Sequence, residues 1–158
     1  MVDDVDRAHL QRAVDLAGQA LETGNSPFGS VLVDGEGAVV FEDHNRDAGG
    51  DTTRHPEFAI ARWAVENMTP QERAAATVYT SGEHCPMCAA AHARVGLGRI
   101  VYATSSEQLF GWLRELGVPP GPVRGLPIND VAPDVPVEGP VEEFADQVRE
   151  LQRRYRQG

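Results

Sequence analysis

The sequence contains only two cysteines, Cys85 and Cys88, and no long apolar run. Two cysteines three positions apart cannot form a disulfide framework, which argues against the small disulfide-rich folds of secreted proteins. No run of about 18 apolar residues is present, so no transmembrane helix is expected. Residues 1–10 are acidic and lack an apolar stretch, unlike a secretory signal. Together these absences predict a cytoplasmic protein without membrane contact.

Positive charge is also scarce. Lys and Arg total 14 against 24 Asp and Glu, which gives a formal net charge of −10. Nucleic-acid binding depends on basic side chains that neutralise phosphates, so a DNA or RNA partner is disfavoured, although a local basic patch is compatible with this balance. The basic residues 149–158 follow an acidic run and are interpreted as the end of a helix. A small, neutral or cationic substrate fits the composition better.

The chain has the length of one domain. Its 158 residues can bury about two thirds of their unfolded surface, and no internal repeat divides them. We therefore predict a single domain over 1–158. Residues 117–140 hold most of the prolines and are predicted as an ordered irregular excursion or a lid. Residues 141–157 are predicted as a C-terminal helix.

Two kinds of apolar periodicity alternate along the chain. Apolar residues recur every three to four positions over 10–21, as in an amphipathic helix. Comparable patterns predict further helices over 56–68, 86–95 and 106–116. Two β-rich runs joined by the turn residues 34–37 predict a hairpin, followed by a polar loop over 43–53 and by strands at 76–81 and 99–104. The expected fold is an α/β protein, a three-layer α/β/α sandwich with a mixed sheet of about five strands.

The two cysteines lie where a predicted strand ends and a helix begins. Ionised sulfur is favoured at a helix N-terminus, and Cys85 and Cys88 at i and i+3 present both sulfurs on one side. His55, at the start of another predicted helix, is the best third donor. Two cysteines and one histidine form the ligand set of a catalytic Zn²⁺ site, whose fourth position is left for water. Glu57 is too close to His55 to share the metal comfortably but can contact that water.

Redox chemistry is the main alternative for "CPMC", because thioredoxin-like proteins also place a dithiol behind a strand at the start of a helix. The upstream His-x-Glu favours zinc, because a thiol exchanger has no use for it. With zinc, water becomes a nucleophile at neutral pH, and Glu57 can carry its proton to a leaving amine. This chemistry predicts hydrolytic deamination of an aromatic ring, and the pattern H-x-E followed by C-x-x-C is typical of zinc deaminases.

The motifs "HPE" and "TSGEHCPMCAAA", with "PFGSVLV" and Asn45 upstream, resemble the cytidine deaminase-like superfamily, in particular its guanine deaminase and tRNA adenosine deaminase branch. The resemblance covers residues 26–104. It implies His55, Cys85 and Cys88 as zinc ligands and Glu57 as the proton shuttle. It further implies that Asn45 hydrogen-bonds the substrate base, that Phe28 packs on the ring, and that the protein is a homodimer.

Two positions depart from the family pattern. Pro56 replaces a small residue between the histidine and the glutamate, which removes an N–H that can contact the substrate in relatives. His84 replaces the proline before the first cysteine and is a candidate either for lining the pocket or for capping the end of the strand. Trp112 and Tyr155 are interpreted as packing residues that can also close the pocket, Tyr155 from a partner subunit.

The sequence thus predicts an enzyme for a small heterocyclic base or nucleoside. Guanine or a related aminopurine is favoured as substrate, followed by cytosine-like bases and amino-triazines. Adenosine in tRNA is the alternative within the class. A dithiol oxidoreductase and an inactive base-binding module that retains zinc are the alternatives outside it.

Overall fold

The computed structural model describes residues 1–158. Five strands form one sheet: β1 (Gly29–Val33), β2 (Val39–His44), β3 (Thr77–Gly82), β4 (Ile100–Thr104) and β5 (Val137–Glu138). Seven α-helices surround it: α1 (Asp4–Glu22), α2 (Pro56–Asn67), α3 (Pro70–Ala75), α4 (Pro86–Arg94), α5 (Ser106–Glu115), α6 (Ile128–Val131) and α7 (Ala145–Gln157). None of these helices is both long and apolar enough to cross a membrane.

The sheet is mixed, with the strand order β2-β1-β3-β4-β5. Strand β1 pairs antiparallel with β2 and with β3, whereas β3, β4 and β5 run parallel. Helices α1 and α7 pack on one face of the sheet, and α2 and α4 lie together on the other. This arrangement confirms the predicted three-layer sandwich.

Side chains along the central strands alternate between the two faces of the sheet, and each face packs in its own hydrophobic cluster. Val31 and Tyr79 face a cluster that includes Leu10 and Val14 of α1. Their neighbours in the chain point to the other face, where Leu32 packs in a cluster with residues of α2. Because β1 is covered on both faces, every one of its side chains is buried, as expected for a central strand.

The contact between α1 and β1 is very close. A Cβ atom at Gly29 would lie 2.3 Å from the carbonyl oxygen of Ala13 and 2.6 Å from Cβ of Leu16, so only glycine fits there. Helix α1 begins at the N-cap Asp3, whose side chain accepts a hydrogen bond from Asp6 N in a capping box. This packing fixes the start of β1, which borders the site described below.

One edge of the sheet collects the ends of four strands. The parallel strands β3 and β4 end at Gly82 and Thr104, which lie opposite each other in the register. Gly29, where the antiparallel β1 begins, pairs with His44, where β2 ends. In open α/β sheets, ligands bind at the carboxyl ends of parallel strands, so this edge is the expected position of a site.

The structure differs from the sequence-based elements in a few places. Strand β2 extends through His44, so the predicted loop begins later than residue 43. Helix α3 was not predicted, although Thr69 and Glu72 form a capping box with a proline between them. Residues 117–140 contain α6 and β5, and the C-terminal segment begins with a short 3₁₀ turn at Glu142–Phe144 before α7.

Candidate zinc-dependent active site

A cavity of about 170 Å³ opens at this edge of the sheet. Its polar side chains come from the loop after β2, from the start of α2 and from the end of β3, whereas α5 and residues 123–125 form the opposite wall. The volume is below the range of about 300–1,000 Å³ typical for drug-sized ligands, so the cavity suits a small heterocyclic base. The lining residues include Phe28, Asn45, His55, Glu57, Glu83, Cys85, Phe110 and Arg124.

Three metal-binding side chains meet at the inner side of this cavity. His55 is the N-cap of α2, Cys85 is the N-cap of α4, and Cys88 lies in the first turn of α4. His55 Nδ1 lies 3.5 Å from Cys85 Sγ and 3.5 Å from Cys88 Sγ. All three donor atoms lie within 4.8 Å of one another.

This geometry fits a tetrahedral zinc ion. With Zn–S and Zn–N bonds of about 2.3 and 2.0 Å, neighbouring sulfur and nitrogen ligands are about 3.5 Å apart. The two observed distances agree with that spacing, and one histidine with two thiols is a donor set that zinc prefers. Three protein donors leave a fourth position on the side of the cavity.

The electrostatics of the pair favour an ionised sulfur. A hydrogen bond from the Cys88 thiol, together with the His55 contact, lowers the pKa of Cys85 to about 4. The same contact between the sulfurs, and burial, raise the pKa of Cys88. The hydrogen bond with Cys85 also raises the pKa of His55. The contact between the sulfurs therefore favours the ionised form of Cys85, and a cation at the site favours release of the second proton.

Glu57 is buried and lines the cavity beside the donors. Ser30 Oγ lies 2.7 Å from Glu57 Oε1, and Thr80 Oγ1 lies 3.0 Å from the same oxygen. Ser30 and Thr80 are paired residues of β1 and β3, so the sheet register brings both hydroxyls to one carboxylate oxygen. Burial raises the pKa of Glu57, while the His55 charge and the Ser30 hydrogen bond oppose this shift.

Asn45 presents an unused acceptor at the cavity. Its Nδ2 donates a 2.6 Å hydrogen bond to Ser26 Oγ, which in turn donates to Asp47. The amide is thereby oriented, and its buried Oδ1 has no partner in the protein. Buried polar atoms are nearly always hydrogen-bonded, so Oδ1 is placed to accept a bond from a bound molecule. Phe28 lines the same cavity from the residue before β1.

Four residues singled out in the sequence do not line this cavity. Pro56 occupies the first position of α2, where it is buried. His84 is buried against His92, with ring centroids 5.5 Å apart and neither ring nitrogen hydrogen-bonded. Trp112 packs against the core on the α1 face, and Tyr155 lies near the end of α7 beside Leu21. Within one chain, the structure therefore brings none of the four to the candidate substrate.

Several lining residues were not identified from the sequence. Glu83 joins two walls, since its carboxylate accepts hydrogen bonds from the backbone N–H groups of Ser106 and Ile128. Phe110 and Arg124 come from α5 and the proline-rich segment, where the sequence carries no motif. The supports of Glu57, Ser30 and Thr80, depend on strand register. Glu83 stands two residues before Cys85 in "TSGEHCPMCAAA", and this position is the only local signal by which it could have been found.

Comparisons with known proteins agree with this geometry. Residues 3–104 match the family described as the cytidine and deoxycytidylate deaminase zinc-binding region. A "Probable cytosine deaminase" from Schizosaccharomyces pombe is 31% identical over 116 residues, which cover 73% of this chain and 70% of that protein. The guanine deaminase of Bacillus subtilis is 37% identical over 81 residues, 50% of this chain and 51% of that protein. The tRNA-specific adenosine deaminase of Haemophilus influenzae is 30% identical over 103 residues, 65% of this chain and 60% of that protein.

Solved structures share the fold. A structure from a study of A-to-I editing by tRNA:A34 deaminases superposes with a TM-score of 0.64 at 26% identity, covering 92% of this chain and 99% of that one. The guanine deaminase from Nitrosomonas europaea gives a TM-score of 0.70 at 18% identity, covering 100% of this chain and 87% of that one. At 18% identity, the similarity to the Nitrosomonas europaea protein shows a shared fold only.

The fold and the donor set define a zinc-dependent aminohydrolase. The chain belongs to the family of cytidine and deoxycytidylate deaminases with this zinc-binding region. Its cofactor is zinc, and its reaction is the hydrolytic deamination of a nucleobase or nucleoside. The dithiol oxidoreductase alternative for Cys85 and Cys88 is therefore wrong.

Proposed function

We propose that the protein deaminates a small amino-substituted heterocycle, with guanine or a related aminopurine favoured over cytosine-like bases and amino-triazines. The observation that carries the proposal is that one small cavity is lined by two of the zinc donors, His55 and Cys85, by Glu57 and by Asn45, whose Oδ1 has no partner. The 37% identity to the guanine deaminase of B. subtilis supports the preference for a purine.

His55, Cys85 and Cys88 are proposed to hold the zinc ion. When bound, zinc supplies a Lewis acid that lowers the pKa of a water molecule to about 7. Asn45 Oδ1 accepts a hydrogen bond from an N–H of the base, and Phe28 packs against the ring. These two contacts orient the carbon that carries the amine toward Glu57.

Glu57 is proposed as the proton shuttle. The hydroxyls of Ser30 and Thr80 both contact Oε1, so Oε2 is the oxygen that exchanges protons. Glu57 Oε2 takes a proton from the attacking water and passes protons to the ring nitrogen and the amine, so that a C–O bond replaces the C–N bond and ammonia leaves. Such acid–base assistance contributes about 10²–10⁴-fold to the rate.

Deamination of adenosine in tRNA is the second candidate. It is supported by the 26% identical structure from the tRNA:A34 deaminase study, which the chain covers almost completely. The net charge of −10 opposes it, because tRNA binding needs an extended basic surface.

Ammonia release from zinc-quantified protein tests the proposal. The panel contains guanine, cytosine, adenine, their nucleosides, amino-triazines and a tRNA anticodon stem-loop. Glu57→Gln should retain zinc and lose at least about 10²-fold in activity. Glu66→Gln, an exposed glutamate on the same helix, serves as the matched control. Full activity of Glu57→Gln would overturn the mechanism, and absence of ammonia from every compound would favour an inactive base-binding module.

A homodimer and a cytoplasmic location stay predictions from the resemblance and the composition. The homodimer would also be needed if Tyr155 closes a pocket, because this residue is remote from the cavity of its own chain. Light scattering on the purified chain measures its mass in solution, and a monomer would contradict both the homodimer and the closure of a pocket by Tyr155 of a second copy.

A further inference from the structure

The residues before β1 and after β2 leave the sheet side by side. Gly29 pairs with His44 in the antiparallel register, so Ser26 and Asp47 lie next to each other beyond the paired strands. Asp47 accepts two hydrogen bonds from Ser26, at Oδ1 from the backbone N–H at 3.0 Å and at Oδ2 from the hydroxyl. Ser26 is buried and Asp47 is half-buried. The sheet register thus holds a carboxylate behind the side-chain amide of Asn45, which donates to the same hydroxyl.

The main chain of Asn45 is held at both of its polar groups. Its N–H donates to Phe28 O at 3.0 Å, and its carbonyl oxygen lies 2.8 Å from His44 Nδ1. The remaining freedom of the residue is the direction of its side-chain amide, whose oxygen and nitrogen exchange places on rotation by half a turn. One orientation presents an acceptor to the cavity, and the other presents donors. The direction of this amide therefore decides which group of a substrate can bind there.

The hydrogen bonds behind the amide permit only one of these orientations. An ionised carboxylate can only accept, so the hydroxyl of Ser26 directs its single proton to Asp47. The Ser26 oxygen is left as an acceptor and receives the Asn45 Nδ2 donor at 2.6 Å, while Asp47 Oδ2 lies 3.4 Å from the same nitrogen. A half-turn of the amide would bring Oδ1 against these two acceptors. Oδ1 is therefore the atom that faces the cavity, and it has no partner in the protein.

The carboxylate of Asp47 is available for this role. Burial disfavours its charged form, but hydrogen bonds from the Ser26 hydroxyl and from backbone N–H groups outweigh burial and lower the pKa of Asp47 below its usual value. No basic side chain forms an ion pair with Asp47, and the adjacent Arg46 pairs with Asp43 instead. The side-chain hydrogen bonds of Asp47 are therefore directed to Ser26 and Asn45.

We propose that Asp47 is a positioning residue that acts through Ser26 to hold Asn45 Oδ1 toward the substrate as an acceptor. The inference rests on the proposed deamination and adds a requirement on the substrate, whose group facing Asn45 must be a donor, an N–H or an O–H. A base that presents a bare ring nitrogen or a carbonyl oxygen there would place two acceptors against each other. A site built to hydrogen-bond a substrate N–H strongly rejects analogues that leave its buried polar group unpaired.

A double-mutant cycle tests whether Asp47 acts through Asn45. Asp47→Asn introduces an amide that can donate as well as accept, so it also permits the reverse orientation of Asn45. We expect kcat/KM of the zinc-loaded protein for its preferred base to fall about 10- to 100-fold in Asp47→Asn, as for loss of a charged hydrogen bond. The same substitution in Asn45→Ala should cost less than about 2-fold, because the amide on which it acts is absent.

Asp51→Asn is the matched control for this cycle. It removes one negative charge from the same loop, where the exposed carboxylate contacts Thr53 and not Asn45, and should leave kcat/KM nearly unchanged. An equal loss from Asp47→Asn in the wild type and in Asn45→Ala would show a merely structural role and overturn the proposal. Wild-type kcat/KM in Asp47→Asn would overturn it as well.

An NMR measurement follows the amide itself and needs no turnover. The side-chain NH2 signals of Asn45 are assigned by their loss in Asn45→Ala. Asp47→Asn should shift these signals and accelerate their exchange with solvent about 10-fold or more, because the hydrogen bonds that protect them weaken. Signals and exchange rates that match the wild type would overturn the proposal. Asp47-dependent signals in a protein that deaminates no compound of the panel would support the role of Asp47 and reject the proposed function instead.

Discussion

Ser30 Oγ lies 2.7 Å from Glu57 Oε1, a buried contact between β1 and the first turn of α2. Removing this hydroxyl in Ser30→Ala takes away a hydrogen bond to a buried charged group, worth about 1.5–3 kcal/mol. We expect kcat/KM to fall about 10-fold while the zinc content stays at one per chain. Thr104→Val removes a buried hydroxyl that donates to Ser81 O, not to Glu57, and should preserve kcat. Wild-type kcat/KM in Ser30→Ala would show that the serine does not position Glu57.

Zinc removal should lower stability as well as activity. Because the metal binds the folded donor set, free zinc at 100 times its Kd stabilises the protein by about 2.7 kcal/mol. Dialysis against a chelator is expected to abolish ammonia release and to lower Tm by several degrees, and added zinc should restore both. Calorimetry with and without chelator measures the shift. Cys88→Ser, which lacks one donor, should show a smaller drop in Tm on chelation than the wild type. An equal drop in Tm would contradict the assigned donor set.

Asp6 should govern the acid stability of the fold. Its buried carboxylate accepts hydrogen bonds from Tyr79 Oη at 2.6 Å and from both terminal nitrogens of Arg99 at 3.0 Å. The Arg99 hydrogen bonds hold the pKa of Asp6 well below its usual range. The ionised form is thus favoured in the folded state, so this contribution is complete above the unfolded pKa of about 3.9 and is lost as the pH falls below it.

The Asp6→Asn variant tests this dependence. It should be less stable at pH 7 by about 3 kcal/mol, because it leaves Arg99 without its buried partner. Its free energy of unfolding should also decline less steeply than that of the wild type below about pH 4. Denaturant titrations from pH 2 to 7 measure both. Asp4→Asn changes an exposed acid in the same helical turn and should shift stability by less than about 0.5 kcal/mol.

Gly125 should control the shape of the cavity. A Cβ atom at this position would lie 2.0 Å from Cε2 of Phe110, so Gly125→Ala must displace the ring that forms part of the wall. We expect kcat/KM to fall about 10-fold or more without loss of zinc, because small displacements near the reacting ring are costly. Gly121→Ala, in the same segment with nothing within 4 Å of the added carbon, is the matched control. Equal losses in both variants would refute a specific role of the Phe110 contact.

The part of the site predicted from the sequence is the part built by short-range geometry. His55, Glu57, Cys85 and Cys88 lie at the starts of two helices, and the order and spacing of their residue types carry the chemistry. The five longer helices and the central strands were also predictable, because each has a recurring apolar period, whereas the short helices α3 and α6 do not. By contrast β5 has two residues and exists only through pairing with β4, so it has no period of its own.

The residues that sequence reasoning misplaced or missed depend on side-chain direction and register. His84 adjoins a zinc donor in the chain, yet its ring points inward to His92, because adjacent residues before the helix face opposite ways. Ser30 reaches Glu57 only through the pairing of β1 with β3. Arg124 meets the cavity through a segment that follows no periodic pattern. Strand pairing and the path of a loop depend on contacts between residues that are far apart in the chain. Where the sequence has no regular pattern, they cannot be predicted from one sequence.

The zinc side and the outer wall of the cavity are built from separate stretches of chain. The donors and Glu57 lie within 55–88, whereas Phe110 and Arg124 come from later residues. Glu83, directly after β3, connects these later residues to the sheet, because its carboxylate accepts hydrogen bonds from the first residues of α5 and α6. Residues 118–127 can therefore be exchanged as a cassette, provided that these two attachments stay. Enzymes with new substrate ranges can be engineered at this wall while the hydrolytic machinery remains intact.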